Sequence, residues 1–324
     1  MTATVPTAPR TVPAAAPRTG LTVLRLHRGA LIVWTLLVLA AALGFLWAYG
    51  PGADSALAAW HKACPAADDS CHWDTTLNDY YRTVSLAEWT IFWAPQLVSV
   101  WAGAALIARE LENGTARLAW TQGVTPARWL AAKLAVPAAL ITAGTTVLVL
   151  LHRMVFEANE FPFGWEWYQD TIFSTNGPVG IAQPLLALTV GALAGLVLRR
   201  TLPALAVSFL VTGLVQYVTG EVTPQLWPWK TFTAAMDSAR TVPDHVMWGE
   251  QGSLTATGAR VPTPDCADSM KCLADHGVTG YYTDYHPASH FWPLQLIETG
   301  LTLAVAAAAV GAAFWLLRRR TRAL

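Results

Sequence analysis

Six long apolar runs limit what this chain can become. Uncharged stretches of roughly 18 or more residues occupy 29–50, 89–108, 134–151, 179–198 and 202–219, and a sixth, 293–317, contains a single internal acid, Glu298. A helix of about 20 residues rising 1.5 Å each spans a hydrocarbon core of about 30 Å. One or two such runs would suit buried helices of a water-soluble core. Six in one chain do not, because only 13% of the residues are charged, about half the share of an ordinary soluble domain. The first run follows Arg25 and Arg28 and so resembles a signal-peptide core. It is too long for one, and no small-residue cleavage site follows it cleanly, so it is expected to stay as a helix. The fold class expected is an all-α polytopic membrane protein.

Charge sets the direction of the six crossings. Lys and Arg are in excess in the short loops on the cytoplasmic side of membrane proteins. Four segments carry 14 of the 21 basic residues: the tail before residue 29, the loop 109–133, the turn at Arg199 and Arg200, and the tail after Leu317. All four fall on one side of a six-crossing chain, and 18 of the 21 acids fall on the other. Both termini are therefore expected in the cytoplasm, with outer segments 51–88, 152–178 and 220–292. The four cysteines lie only in outer segments, Cys64 and Cys71 in the first and Cys266 and Cys272 in the last. Two close pairs facing an oxidising space suggest two local disulfides, although sequence alone leaves crossed pairings open.

Residues 1–19, rich in Ala, Pro and Thr, are expected to be a disordered tail, with residues 20–324 forming the membrane domain. Leu21 to Arg28 is readable either as a short interfacial helix or as the frayed start of the first crossing. The second outer segment holds an aromatic cluster, Phe161, Phe163, Trp165, Trp167 and Tyr168. Trp227, Trp229, Phe291 and Trp292 flank the third, as in an interfacial belt.

The chain lacks a G-x-x-x-x-G-K-[ST] phosphate loop, an H-E-x-x-H metal motif and a G-x-S-x-G nucleophile elbow, so neither ATP hydrolysis nor hydrolase chemistry is expected of it alone. His286 and His290 are spaced like ligands on one helical face, but Pro287 interrupts the helix such a site needs. Zero net charge argues against nucleic acid as a partner. Glu298, the one acid inside an apolar run, is a candidate for transport or for a buried structural hydrogen bond.

The densest signal is the loop after the second run. Arg109 and Glu110 mark the exit from the helix, and Asn113-Gly114 signals a turn. Thr115 is placed to cap a short helix over 116–121, and Thr125 and Pro126 to start the third long helix. Leu118 and Trp120 are too apolar for a free loop, so a docking surface for another protein is expected here.

Glu110, Glu112, Gly114, Thr115, Arg128 and Lys133 match, in order and spacing, the pattern after the second helix in type-two ATP-binding-cassette (ABC) exporter permeases, which this chain resembles. Six helices with both ends inside and a long outer loop before the sixth agree with that family along most of the chain. The His290–Pro293 to Glu298 stretch is also similar to many members, whereas the long 220–292 segment with its own cysteine pair departs from the compact ones. The resemblance implies a permease half that dimerises with an identical or a different half and sits in the plasma membrane among lipid. It further implies a separate ATPase subunit, which would hold the ATP, with no cofactor bound directly by this chain. Arg109, Glu110, Glu112, Gly114, Thr115, Arg128 and Lys133 would form the ATPase-coupling loop, and the cargo would be a small amphiphilic compound or a lipid. A membrane sensor or scaffold that binds a ligand with its outer loops is the alternative. An ion-coupled secondary transporter fits less well, because it would place several charges within the helices.

Overall fold

In a computed structural model, the described residues are 19–64, 74–158, 165–236, 244–266 and 269–321. The expected disordered tail (apart from Thr19), Cys71, Phe161 and Phe163 lie outside them. Six helices among the described residues are long and apolar enough to cross a membrane. In chain order, α1 (Thr19–Leu26) leads at His27 into α2 (Arg28–Tyr49), and α3 (Pro51–Ala63) follows. Next comes α4 (Thr75–Trp101), which runs without a break through a π-helix (Ala102–Ala108) into α5 (Arg109–Glu112). After the short α6 (Thr115–Thr121) come α7 (Pro126–Ala158), α8 (Asp170–Thr175), α9 (Val179–Leu198) and α10 (Thr201–Val222).

The remaining elements are strands β1 (Lys230–Ala235), β2 (Met247–Thr255) and β3 (Arg260–Val261), then α11 (Met270–Asp275), β4 (Val278–His286) and α12 (Phe291–Thr321). The six spans are α2, α4 to α5, α7, α9, α10 and α12, the last two with short 3-10 turns at Thr223–Leu226 and Ala288–His290.

Each apolar run lies along one of these helices, with Gly50 just past the end of α2, and several helices are longer than the runs. The second begins at Thr75 rather than near residue 89, because Asp79, Arg82 and Glu88 interrupt the apolar run without interrupting the helix. Pro51 at the start of α3, with Asp54 in its first turn and His61 and Lys62 in its last, suits a helix end to end. The segment 51–88 is therefore mostly helical. Its Tyr80 is fully buried, donates to the Ala48 carbonyl oxygen at 3.2 Å and stacks on Trp165. Leu21 to Leu26 falls in the separate helix α1, which packs against α7 and buries Val23.

The all-α expectation is corrected between the fifth and sixth crossings. Segment 220–292 contains a four-stranded antiparallel sheet of order β1-β4-β2-β3. One of its two inner strands, β4 with the sequence VTGYYTDYH, is rich in the β-branched and aromatic residues that pack well on a pleated surface. Ser253 pairs with Tyr281 and Phe232 with Thr283, so β4 is covered on both edges.

α9 is the pivot of the helical bundle. It packs against α4, the π-helix, α7, α10 and α12. Close approach is possible because Gly191 and Gly195, one turn apart, face the second crossing. A Cβ on Gly191 would lie 2.3 Å from the Ser99 carbonyl oxygen, and one on Gly195 2.7 Å from that of Gly103. Small residues at this spacing let membrane helices associate through backbone contact rather than through hydrophobic exclusion of water. By contrast α2, α10 and α12 turn many apolar side chains outward, among them Leu36, Leu43, Leu210, Leu214 and Leu301.

Candidate functional site

At the end of the bundle opposite the sheet, the segment 109–133 folds as a helical elbow. Asn113 ends α5, and Gly114, at φ 73°, takes the left-handed conformation that glycine adopts without a Cβ penalty. The chain reverses there into α6. Gly114 occupies the N-cap position, so Thr115 is the first residue of α6 rather than its cap, and its hydroxyl donates to the Glu110 carbonyl oxygen at 3.3 Å. Thr125 Oγ1 accepts from Arg128 N at 3.3 Å, capping α7.

The elbow divides the seven residues singled out above. Glu110 turns inward, where its carboxylate accepts from Trp129 Nε1 at 3.0 Å and pairs with the Lys133 ammonium. Lys133 is only 3% exposed, so this is a buried ion pair. Its ammonium also approaches His27 Nε2 at 3.0 Å. Burial, then the neighbouring Lys133 charge, pulls the His27 imidazole down to a pKa of about 4, with Glu110 partly opposing. A neutral His27 accepts a hydrogen bond from the Lys133 ammonium and ties the α1–α2 junction to the elbow.

Glu112 reaches a different helix. It accepts from Thr201 N at 2.8 Å and from Thr201 Oγ1 at 2.6 Å, capping the start of α10, where unpaired N–H groups favour an anion. Arg109, Thr115 and Arg128 remain exposed. On α6, Ala116 is buried and Trp120 stands edge-on to Trp129, while Leu118 is 58% exposed beside Arg117. The solvent side of the elbow is thus basic with an apolar tip, and its acids are engaged by the bundle.

At the other end, beneath the sheet, lies a cavity of about 1040 Å³. Its walls come from α4, α8, α9, α10, α12 and β2, together with the segments around Trp167 and Trp229. A polar chain crosses the bundle at its floor. The Gln96 and Gln216 amides lie 2.7 Å apart, Gln216 reaches Gln183 at 3.5 Å, and Gln183 Nε2 donates to Glu298 Oε1 at 3.2 Å. Thr223 Oγ1 donates to Glu298 Oε2 at 2.6 Å. Residues of four spans thus join in one polar chain that ends on Glu298, which is 4% exposed. An uncharged amide does not interrupt an apolar run, so these glutamines leave no mark in the hydropathy pattern. A second buried acid, Glu88, is 6% exposed within α4.

Of the cysteines, Cys266 and Cys272 form a disulfide beside α11. Cys64 is disulfide-bonded too, and its expected partner Cys71 lies outside the described residues. His276 Nδ1 sits 3.9 and 3.8 Å from the sulfurs of Cys266 and Cys272, but oxidised sulfurs offer no thiolate to a metal. His286 and His290 face each other at Nδ1, 2.7 Å apart, and His286 Nε2 lies 2.9 Å from the Pro224 carbonyl oxygen. The imidazoles hydrogen-bond to one another rather than converging on an ion.

The model of the family described as ABC-2 membrane transporter related matches residues 36–223. No curated protein and no solved structure matches the chain. The matched region is more than half of the chain, begins within the first span, takes in the elbow and nearly all of the second to fifth spans, and stops before the sheet. The chain belongs to this family and is a multi-pass membrane protein of the ABC permease type.

Proposed function

We propose that this ABC-2 family member is the membrane-spanning half of an ABC exporter, driven by ATP hydrolysis on a separate subunit. The observation that carries this reading is the elbow's two-way wiring. Its outer side, with Leu118, Arg117, Arg109 and Arg128, is free to meet another protein. Its inner side holds α7 and His27 through Glu110, and α10 through Glu112. Both α4, continuous with the elbow through the π-helix, and α10, capped by Glu112, also wall the cavity. A push on α6 therefore has a short mechanical route to the cavity walls. The wide-turned π-helix, a geometry that recurs at functional sites, lies along one branch of that route.

The basic elbow and the Arg199–Arg200 and Arg318–Arg320 segments face the cytoplasm under the positive-inside rule, leaving sheet and cavity on the outer side of the plasma membrane. The outward apolar faces of α2 and α10 suit lipid and a second permease half, identical or not. A small amphiphilic compound or a lipid fits a cavity bounded by membrane helices below and a folded sheet above. Within the elbow, Glu110 and Lys133 act as positioning residues, and the contact to the ATPase falls to Arg109, Thr115, Arg128 and α6.

The test is co-purification. Expressed together with an ABC ATPase subunit from the same genome, the chain should elute as a stoichiometric complex, and Leu118→Glu should dissociate that complex while the chain still inserts and elutes as a single species. Elution without an ATPase, or a complex indifferent to Leu118→Glu, would refute the reading.

A further inference from the structure

The cavity's chemistry is one-sided. Nine of its lining residues are aromatic, among them Trp93, Tyr217, Trp229 and Trp248. Five are acidic, namely Asp170, Glu221, Glu250, Asp284 and Glu298. Among the described residues that line it there is no Lys or Arg. Asp284 is neutralised by Arg260, whose Nη1 lies 2.7 Å away. No ion pair among the described residues involves any of the other four acids. Glu250 accepts from the Tyr282 hydroxyl at 2.8 Å.

Glu298 sharpens the asymmetry. It is almost fully buried at the cavity floor, yet its partners are two neutral donors, Thr223 and Gln183. Burying a carboxylate without a compensating charge is costly, and acids inside membrane spans mark functional positions for that reason. Each Glu298 oxygen takes one donor and keeps a lone pair for another. Aromatic faces attract cations, most strongly where water is excluded. The volume lies at the upper end of the roughly 300–1,000 Å³ of small-molecule sites, too large for a bare metal ion and suited to a molecule of several rings.

We propose that the cavity binds an amphiphilic organic cation, with the aromatic walls holding its apolar body and Glu298 supplying the counter-charge at the floor. The proposal rests on the exporter reading only for the statement that this ligand is the cargo; binding itself needs no ATPase. Glu221 on α10 adds a second carboxylate at the more exposed rim.

The test uses the full chain in zwitterionic lipid nanodiscs and two probes of equal shape and opposite charge, tetraphenylphosphonium and tetraphenylborate, with binding to empty discs subtracted. The expected result is saturable binding of tetraphenylphosphonium alone, weakened tenfold or more by Glu298→Gln and severalfold by Glu221→Gln. Should Glu298→Gln fail to give a single folded species, Glu221→Gln and Tyr217→Leu decide. Saturable binding of tetraphenylborate with equal affinity, no saturable binding of either probe, or tetraphenylphosphonium binding unchanged in the folded variants would overturn the proposal. None of those results touches the exporter reading, which is tested by the ATPase complex and its response to Leu118→Glu.

Discussion

The Glu110–Lys133 pair gives the account a quantitative handle. Lys133 is 4% and Glu110 12% exposed at the side chain, so solvent screens the pair little. Removing one partner leaves a buried charge without its counterpart, which costs about 3–5 kcal/mol. Glu110→Gln strands the Lys133 ammonium against neutral His27. Lys133→Met strands the carboxylate with Trp129 Nε1 as its remaining donor. The double variant strands nothing, because a glutamine oxygen still accepts from Trp129 and a methionine fills the lysine's apolar volume. Replacing such a pair by neutral groups is often close to neutral in stability. The expected pattern is two single variants whose melting points, followed by tryptophan emission in micelles, fall on the order of 10 °C at about 2–4 °C per kcal/mol. The double variant should melt within a few degrees of the parent. If its loss equalled the sum of the two single losses, the residues would be acting independently, and the inward wiring of the elbow would be wrong.

Other outcomes follow from the same structure. Gly195→Val places a Cβ 2.7 Å from the Gly103 carbonyl oxygen, so α9 must move off the second crossing; the yield of monodisperse protein should collapse, whereas Gly300→Val, with open space around it, should be tolerated. His27 has a folded pKa of about 4, below its ordinary 6.5, so the unfolded chain binds the extra proton and stability falls as pH drops from about 6.5 towards 4. His27→Gln should flatten that part of the melting-point profile, and an unchanged slope would show that His27 is not held neutral beside Lys133. A membrane-impermeant thiol probe should label Cys272 only after reduction, and Cys266→Ser should cost the sheet region about 2 kcal/mol, as expected for so short a loop. Labelling without reduction would remove the disulfide from the account.

The crossings were legible because lipid demands long uncharged helices, and a run such as 179–198 has no soluble alternative once five others accompany it. What escaped notice was structure that uses charge inside a helix or aromatics inside a sheet. Asp79, Arg82 and Glu88 concealed the first turns of α4. Tyr281, Tyr282 and Tyr285 of β4 belong to a strand paired with partners more than twenty residues away, so the local pattern gave little warning. The elbow was legible as a turn and a short helix through Asn113-Gly114 and Thr125-Pro126. The sequence could not divide its charges: Glu110 and Glu112 are two residues apart on one short helix, yet one serves α7 and the other α10. The cavity was unreadable in sequence because its floor is assembled from single residues of four separate spans.

The central claim is that the elbow passes ATP hydrolysis to the cavity walls, and the Glu112 cap on α10 is the most exposed link in that chain. The most direct measurement is the ATP hydrolysis rate of the partner subunit in nanodiscs, alone, with the parent chain and with Glu112→Ala, which removes the oxygen that both Thr201 donors share. The account predicts a rate raised by the parent chain and returned severalfold towards the uncoupled level by Glu112→Ala in a complex that stays intact. A rate indifferent to the parent chain, or identical with Glu112→Ala, would contradict it.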